Sequence, residues 1–323
     1  MGGSKIWYTI SEMKHPTLVI HGGAIFAPSD YEASRYAEYK SFLQKALDTG
    51  YTILNKGGPA LDAVEQAIWI LEECGMFDAG RGAVYTYDGK QELDASIMDG
   101  SNLKAGAVAG VRTIKRPISA ARSVMEHTWH VLLMGQGAEA FAKEQALEIV
   151  DPSYFHNSRE WGRYVKLKAE ADQKKQKKES RNHSTVGAVA LDNHGNLAAG
   201  TSTGGLDLKL YGRVGDAPII GAGTYANNQT CALSMTGEGE YFIRTSAAYQ
   251  VHARMTFAGQ SLAEASQNVL DEIKQMGGIG GMIGITSDGT VAMPYTSIDM
   301  FCGYKNSDSE EVRLFPKPSD SSQ

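Results

Sequence analysis

Apolar residues recur at helical spacing from about Glu32 to Asn55, as at Phe42, Leu43, Ala46, Leu47 and Tyr51. They do so again from Ala60 to about Leu71, where Ala63, Val64, Ala67, Ile68 and Leu71 form one stripe. Pro59, just before the second run, suits a helix start. The same periodicity predicts helices over Ile118 to Glu126, Gln136 to Glu144 and Leu262 to Gln275. Strand signals lie between them. Thr17 to Ile20 is a short apolar run leading into His21-Gly22-Gly23-Ala24, and Ala105 to Val111 reads as a buried strand. Ala83 to Thr86 and Glu92 to Met98 read as two halves of a hairpin around Asp88-Gly89, and a last hairpin centres on Asp288-Gly289.

The most informative hairpin lies between Thr185 and Thr203. Thr185 to Leu191 alternates β-branched and small residues, Asp192-Asn193-His194-Gly195-Asn196 carries turn chemistry, and Leu197 to Thr203 resumes as a strand. A loop symmetric about His194 puts Thr185 opposite Thr203, with Cβ atoms roughly 4.5–5.5 Å apart on one face. A bulge of one residue would send the two side chains to opposite faces.

Ahead of this hairpin the composition changes. Arg163 to Arg181 holds eight Lys or Arg against three Asp or Glu, and Gln173 to Glu179 has no apolar residue. The stretch from about 155 to 184 therefore reads as a flexible, solvated linker rather than a basic binding arm. The whole chain, 323 residues with 42% hydrophobic and 21% charged, is long and apolar enough to bury a substantial core. Its formal charge of -6 gives no reason to expect a nucleic-acid partner. Cys74, Cys231 and Cys302 are odd in number, far apart and in no paired metal spacing, which suits a reducing compartment. With no signal-like apolar run at the start and no stretch long enough to span a bilayer, the expectation is a cytoplasmic protein with no membrane association.

At His183-Ser184-Thr185-Val186 the charged stretch meets the strand at a threonine. If the Ser184–Thr185 bond is cut, Thr185 gains a free α-amine beside its own hydroxyl, so nucleophile and general base come from one residue. Two threonines on a hairpin also fit plain β-propensity. Their company raises the chemical reading: Ser202-Thr203-Gly204-Gly205, Gly212-Arg213-Val214-Gly215-Asp216 and Met235-Thr236-Gly237-Glu238-Gly239-Glu240 each set polar residues among glycines. Arg213 offers a planar fork for a carboxylate and Asp216 can hold an ammonium, although an internal Arg–Asp pair fits the same spacing. Thr236 and the Gly237 amide can serve as oxyanion donors, or the segment is a glycine turn.

These motifs, with Leu93-Asp94-Ala95-Ser96-Ile97-Met98-Asp99-Gly100 and Gly277-Gly278-Ile279-Gly280-Gly281, resemble the plant-type L-asparaginases, or isoaspartyl peptidases, among the N-terminal nucleophile hydrolases. The resemblance covers nearly the whole chain. It implies an α+β fold, a four-layer αββα sandwich, and a precursor that cuts itself at Ser184–Thr185 into α (1–184) and β (185–323) chains, two such pairs forming a homodimer of αβ heterodimers. Thr185 becomes the nucleophile, Thr203 its hydroxyl partner, and Thr236 with Gly237 the oxyanion hole. Arg213 binds the carboxylate of asparagine or a β-aspartyl dipeptide, while Asp216 and the Gly239 carbonyl hold its ammonium. Main-chain carbonyls of Leu71, Glu72, Cys74, Phe77, Ala79 and Arg81 wrap a structural sodium ion, with no cofactor for the chemistry itself. Two positions depart from the family pattern: Ser184 stands where glycine is common, which restricts the backbone before the scissile bond and slows maturation. Asp78 stands where asparagine is usual, exchanging an amide donor for a carboxylate. A glycosylasparaginase-type amidase and an uncleaved amino-acid-binding relative with little activity are the alternatives. Nucleotide binding ranks last, since no glycine loop has the Walker spacing.

Overall fold

In the first strand, β1 (Thr17–Ile25), all nine residues are buried, so the sheet it belongs to is covered on both faces. The structure, a computed structural model, describes residues 15–27, 32–173 and 185–314. After a 3-10 turn at Ala33–Arg35 come α1 (Tyr36–Asn55) and α2 (Ala60–Glu73). These pack closely because position 50 is glycine: a Cβ there would lie 2.6 Å from Leu18 and 2.8 Å from the Ala63 carbonyl. Then follow β2 (Leu93–Asp99), β3 (Ala105–Val111), α3 (Pro117–His127), β4 (Leu132–Met134), α4 (Gly135–Glu144) and α5 (Ser158–Gln173). The second part of the chain supplies β5 (Val186–Leu191), β6 (Leu197–Thr203), β7 (Thr224–Ala226), β8 (Cys231–Gly237), α6 (Gly239–Thr245), α7 (Ala247–Ala258) and α8 (Leu262–Gln275). It ends with β9 (Gly280–Thr286), β10 (Val291–Ala292), β11 (Asp299–Lys305) and β12 (Glu310–Arg313).

The described strands form two sheets. One has eight strands in the order β12-β11-β1-β5-β6-β2-β3-β4, the other four in the order β10-β9-β8-β7. Successive residues of a strand point to opposite faces, and here they enter different cores. Leu18, Ile20, Val186 and Ala188 join a cluster with α1, α2 and α3, whereas Val19, Val189 and Leu191 join one with β8, β9, α7 and α8. The fold is thus mixed α and β, with two sheets and helices, and β5 and β6 lie near the middle of the larger sheet.

Several elements differ from the sequence expectation. The stretch read as a linker carries helix α5 over its first half, and its remainder, 174–184, lies outside the described residues. Ala83 to Thr86 forms no strand, because β2 is already paired with β3 on one edge and β6 on the other. The segment instead turns at Asp88-Gly89, closed by the Thr86 N–H on the Lys90 carbonyl at 2.7 Å. Helices α6 and α7 occupy a stretch for which no helix is expected before Leu262.

Candidate active site

The β5–β6 hairpin has the register the sequence implies. Val186 pairs with Ser202, and Leu191 with Leu197, so the loop is symmetric about His194. Asp192 fixes that loop: its Oδ1 accepts the N–H groups of His194 and Asn196, each at 2.9 Å, and its Oδ2 accepts the Ala60 N–H at 3.2 Å. The same carboxylate therefore shapes the turn and caps the start of α2. One step beyond the paired residues, the Thr185 hydroxyl donates to Thr203 Oγ1 at 3.2 Å, and that oxygen also accepts the Gly205 N–H at 2.9 Å. Both threonines are buried, at 7% and 3% exposure.

Thr236 and Gly237 close β8. The Thr236 Oγ1 accepts the Ala24 N–H at 3.1 Å, which occupies a lone pair and leaves its O–H to donate elsewhere. Gly237 has φ of 150°, and a Cβ there would lie 2.6 Å from the Ile279 carbonyl, so only glycine fits. Arg213 and Asp216 come from the loop after β6 and meet Gly239, where a Cβ would lie 2.6 Å from Asp216 Oδ1 and 3.0 Å from Arg213 Nη2. Asp216 Oδ2 is buried and has no hydrogen-bond partner among the described residues. Burial pushes its carboxyl up to about 7, the Arg213 charge pulling the other way.

Thr185, Thr203, Arg213, Asp216 and Gly237 line one narrow cleft of about 10 Å³, the space of roughly one water. A cavity of about 510 Å³ borders Asp78 and is lined by Arg159, Glu160, Arg163 and Asp207, but includes none of those residues. The chemistry-bearing groups converge on the smaller space.

The loop at the end of α2 is wound tightly. A Cβ at Gly80 would lie 2.4 Å from the Glu72 carbonyl oxygen, and one at Gly82 would lie 2.0 Å from that of Phe77. Leu71 O accepts from Cys74 Sγ, Phe77 O from the Ala79 N–H, Ala79 O from the Gly82 N–H and Arg81 O from Asn157 Nδ2. Each of these four carbonyls has a second lone pair, and main-chain oxygens as a class suit a hard cation. No group of three or more His, Cys, Asp or Glu that could hold a metal occurs among the described residues. Beneath the β5–β6 hairpin, Glu72 Oε1 accepts from Ser202 Oγ at 2.6 Å and the Ile118 N–H at 3.1 Å, and burial lifts its carboxyl to about 8.

Some contributors carry no sequence signal of their own. A buried seam of hydroxyls runs between the two sheets: His21 Nε2 meets Ser234 Oγ at 2.9 Å, Ser234 meets Thr201 at 2.7 Å, Thr224 donates to Thr201 at 2.6 Å, and Ser96 lies 2.8 Å from Thr224 and 2.5 Å from the Ala217 carbonyl. Burial drives the His21 pKa down to about 3, the Thr185 backbone opposing, so the imidazole is neutral. Glu240, in the glycine-flanked run, grips Arg213. Only contact partners far along the chain reveal either role.

The family model for asparaginase matches residues 14–314. The chain belongs to the asparaginase family. It is 45% identical over 296 residues to the isoaspartyl peptidase of Salmonella typhimurium, covering 90% of this chain and 95% of that protein. It is 41% identical over 287 residues to the isoaspartyl peptidase/L-asparaginase of Bos taurus, covering 88% and 92%. To the probable isoaspartyl peptidase/L-asparaginase 2 of Arabidopsis thaliana it is 39% identical over 319 residues, covering 90% and 96%. Every residue of the cleft and of the carbonyl loop falls inside the span matched by the asparaginase family.

Proposed function

We propose that this asparaginase-family protein is a self-cleaving amidohydrolase that converts L-asparagine to L-aspartate and ammonia and hydrolyses β-aspartyl dipeptides, with Thr185 as nucleophile. Family membership supports the reaction class. The observation that carries the assignment is the Thr185 hydroxyl, hydrogen-bonded to Thr203 in a cleft that also holds Arg213 and Asp216.

The hydroxyl acts twice. In the precursor Thr185 Oγ1 attacks the Ser184 carbonyl and the acyl group moves from nitrogen to oxygen, which frees the Thr185 α-amine; water then hydrolyses the resulting ester and frees the hydroxyl. Ser184 itself lies outside the described residues. In the mature enzyme the amine takes the hydroxyl proton as the oxygen attacks the side-chain amide carbon of the substrate. The tetrahedral oxyanion is met by the Thr236 O–H and the Gly237 N–H. The leaving amine takes a proton and departs, and water cleaves the β-aspartyl ester to release aspartate. Arg213 holds the α-carboxylate, and ionised Asp216 with the Gly239 carbonyl holds the α-ammonium.

Carbonyls of Leu71, Glu72, Cys74, Phe77, Ala79 and Arg81 would hold a sodium ion, which when bound stiffens the loop that Asp78 ties to Gly204. The two sheets and their helices are read as a four-layer αββα sandwich, supported by the alternation of β1 and β5 residues between two cores. Two αβ pairs assemble as a dimer, and a reducing, cytoplasmic setting fits three free cysteines. Mass spectrometry after prolonged incubation tests the core of the proposal. Wild type is expected as two pieces cut before Thr185, releasing ammonia from asparagine, with Thr185→Ala intact. A wild type that stays whole and inactive would overturn it.

A further inference from the structure

The guanidinium of Arg213 has its outer edge already taken. Its Nε and Nη2 donate to Glu240 Oε1 and Oε2, each at 2.9 Å. Nη1 has no acceptor among the described residues and faces the cleft: a Cβ at Gly215 would lie 2.6 Å from it and one at Gly205 would lie 3.4 Å, both being cleft-lining positions. The Arg213 side chain is 12% exposed and that of Glu240 48%, so the carboxylate grips from the solvent side. Glu240 is anchored in the first turn of α6, one residue after the glycine that abuts both Arg213 and Asp216. Burial raises the Glu240 carboxyl, but its hydrogen bonds to Arg213 and the Arg213 charge outweigh this and hold it ionised.

A guanidinium carries two bidentate edges, Nε/Nη2 on its side and Nη1/Nη2 at its tip, and one plane sets the direction of both. We propose that Glu240 is a positioning residue for substrate recognition: by clamping the Nε/Nη2 edge of Arg213 it aims the Nη1/Nη2 edge at the substrate's α-carboxylate. The inference rests on Arg213 as the carboxylate-binding residue. Without the clamp, Arg213 must be ordered by each substrate as it binds, at a cost in affinity rather than in the chemical step. The opposite idea, Glu240 as a plug that substrate must displace, predicts the reverse change in KM.

The test compares mature wild type, Glu240→Gln and Glu240→Ala on L-asparagine and on its α-carboxamide analogue, which lacks the carboxylate. Complete cleavage before Thr185 and an unchanged melting temperature qualify each variant, and Glu240→Gln decides if Glu240→Ala fails to mature. The expected result for Glu240→Ala is a KM for asparagine raised roughly tenfold with kcat within about twofold. The analogue's constants barely move, so discrimination between the two substrates falls by the same factor. Glu240→Gln, which keeps one acceptor, falls between. Unchanged or lowered KM in Glu240→Ala, with discrimination intact, refutes the clamp. A wild type that does not discriminate between the two substrates removes the Arg213 reading itself, and the clamp with it.

Discussion

Asp78 ties the carbonyl loop to the end of the β5–β6 hairpin through its main chain and to Val84 through its side chain. Its carbonyl accepts the Gly204 N–H at 3.1 Å and its Oδ1 the Val84 N–H at 2.9 Å, while Oδ2 is buried with no partner among the described residues. Burial pushes this carboxyl well above the usual carboxylate range, against the Val84 N–H and Lys209 and in concert with Glu160 and Asp207. Protonated, Asp78 gains a donor that the carboxylate lacks, as an asparagine at this position would have. The sign of the pH effect follows. The folded state keeps a proton that the unfolded chain releases in the ordinary aspartate range, so stability falls as pH rises from that range towards the raised value. Asparagine cannot titrate. Asp78→Asn is therefore expected to gain melting temperature over wild type, by a margin that is small at pH 5 and larger at pH 8. A margin independent of pH would mean that the folded and unfolded states bind the Asp78 proton alike.

Among the elements, the β5–β6 hairpin was fully legible because turn residues and alternation specify register locally, and Asp192 supplies the loop's closing bonds. Asp192→Ala removes those bonds and the acceptor at the start of α2, and a loss of about 1–2 kcal/mol in a denaturant titration is expected. An unchanged midpoint would show that the register holds without it. Helices α2, α3 and α8 were legible for a similar reason: each carries an apolar stripe at its own period. In α5 only Glu160 and Ala171 are buried, so its charge pattern resembles a linker although Arg163 pairs with Asp207. Helix α6 is seven residues long, too short for a period to declare itself, and α7 follows at once through Ser246 in the left-handed region. The Ala83 to Thr86 segment was misread because local sequence cannot show that both edges of β2 are taken by strands from elsewhere.

Across the whole molecule, what sequence could not supply is the meeting of distant segments: α6 with the Arg213 loop, and one sheet with the other. The thiols follow the same logic. All three are free, and burial raises Cys74 to about 11 and both Cys231 and Cys302 to about 12. Brief treatment of the native protein with iodoacetamide at neutral pH is expected to leave the intact mass unchanged, and the unfolded protein to gain three adducts. Rapid labelling of the native protein would show that the thiols are reachable. The hydroxyl seam from His21 through Ser234, Thr201 and Thr224 to Ser96 has a mechanical consequence. Apolar layers can slide over one another with little penalty, whereas hydrogen bonds hold only at one alignment. Two sheets stitched in this way resist shear beneath β5, the strand that follows Thr185. A backbone break at the head of that strand would then create two new chain ends while the layers below stay in register, so the blade can be drawn without loosening the handle.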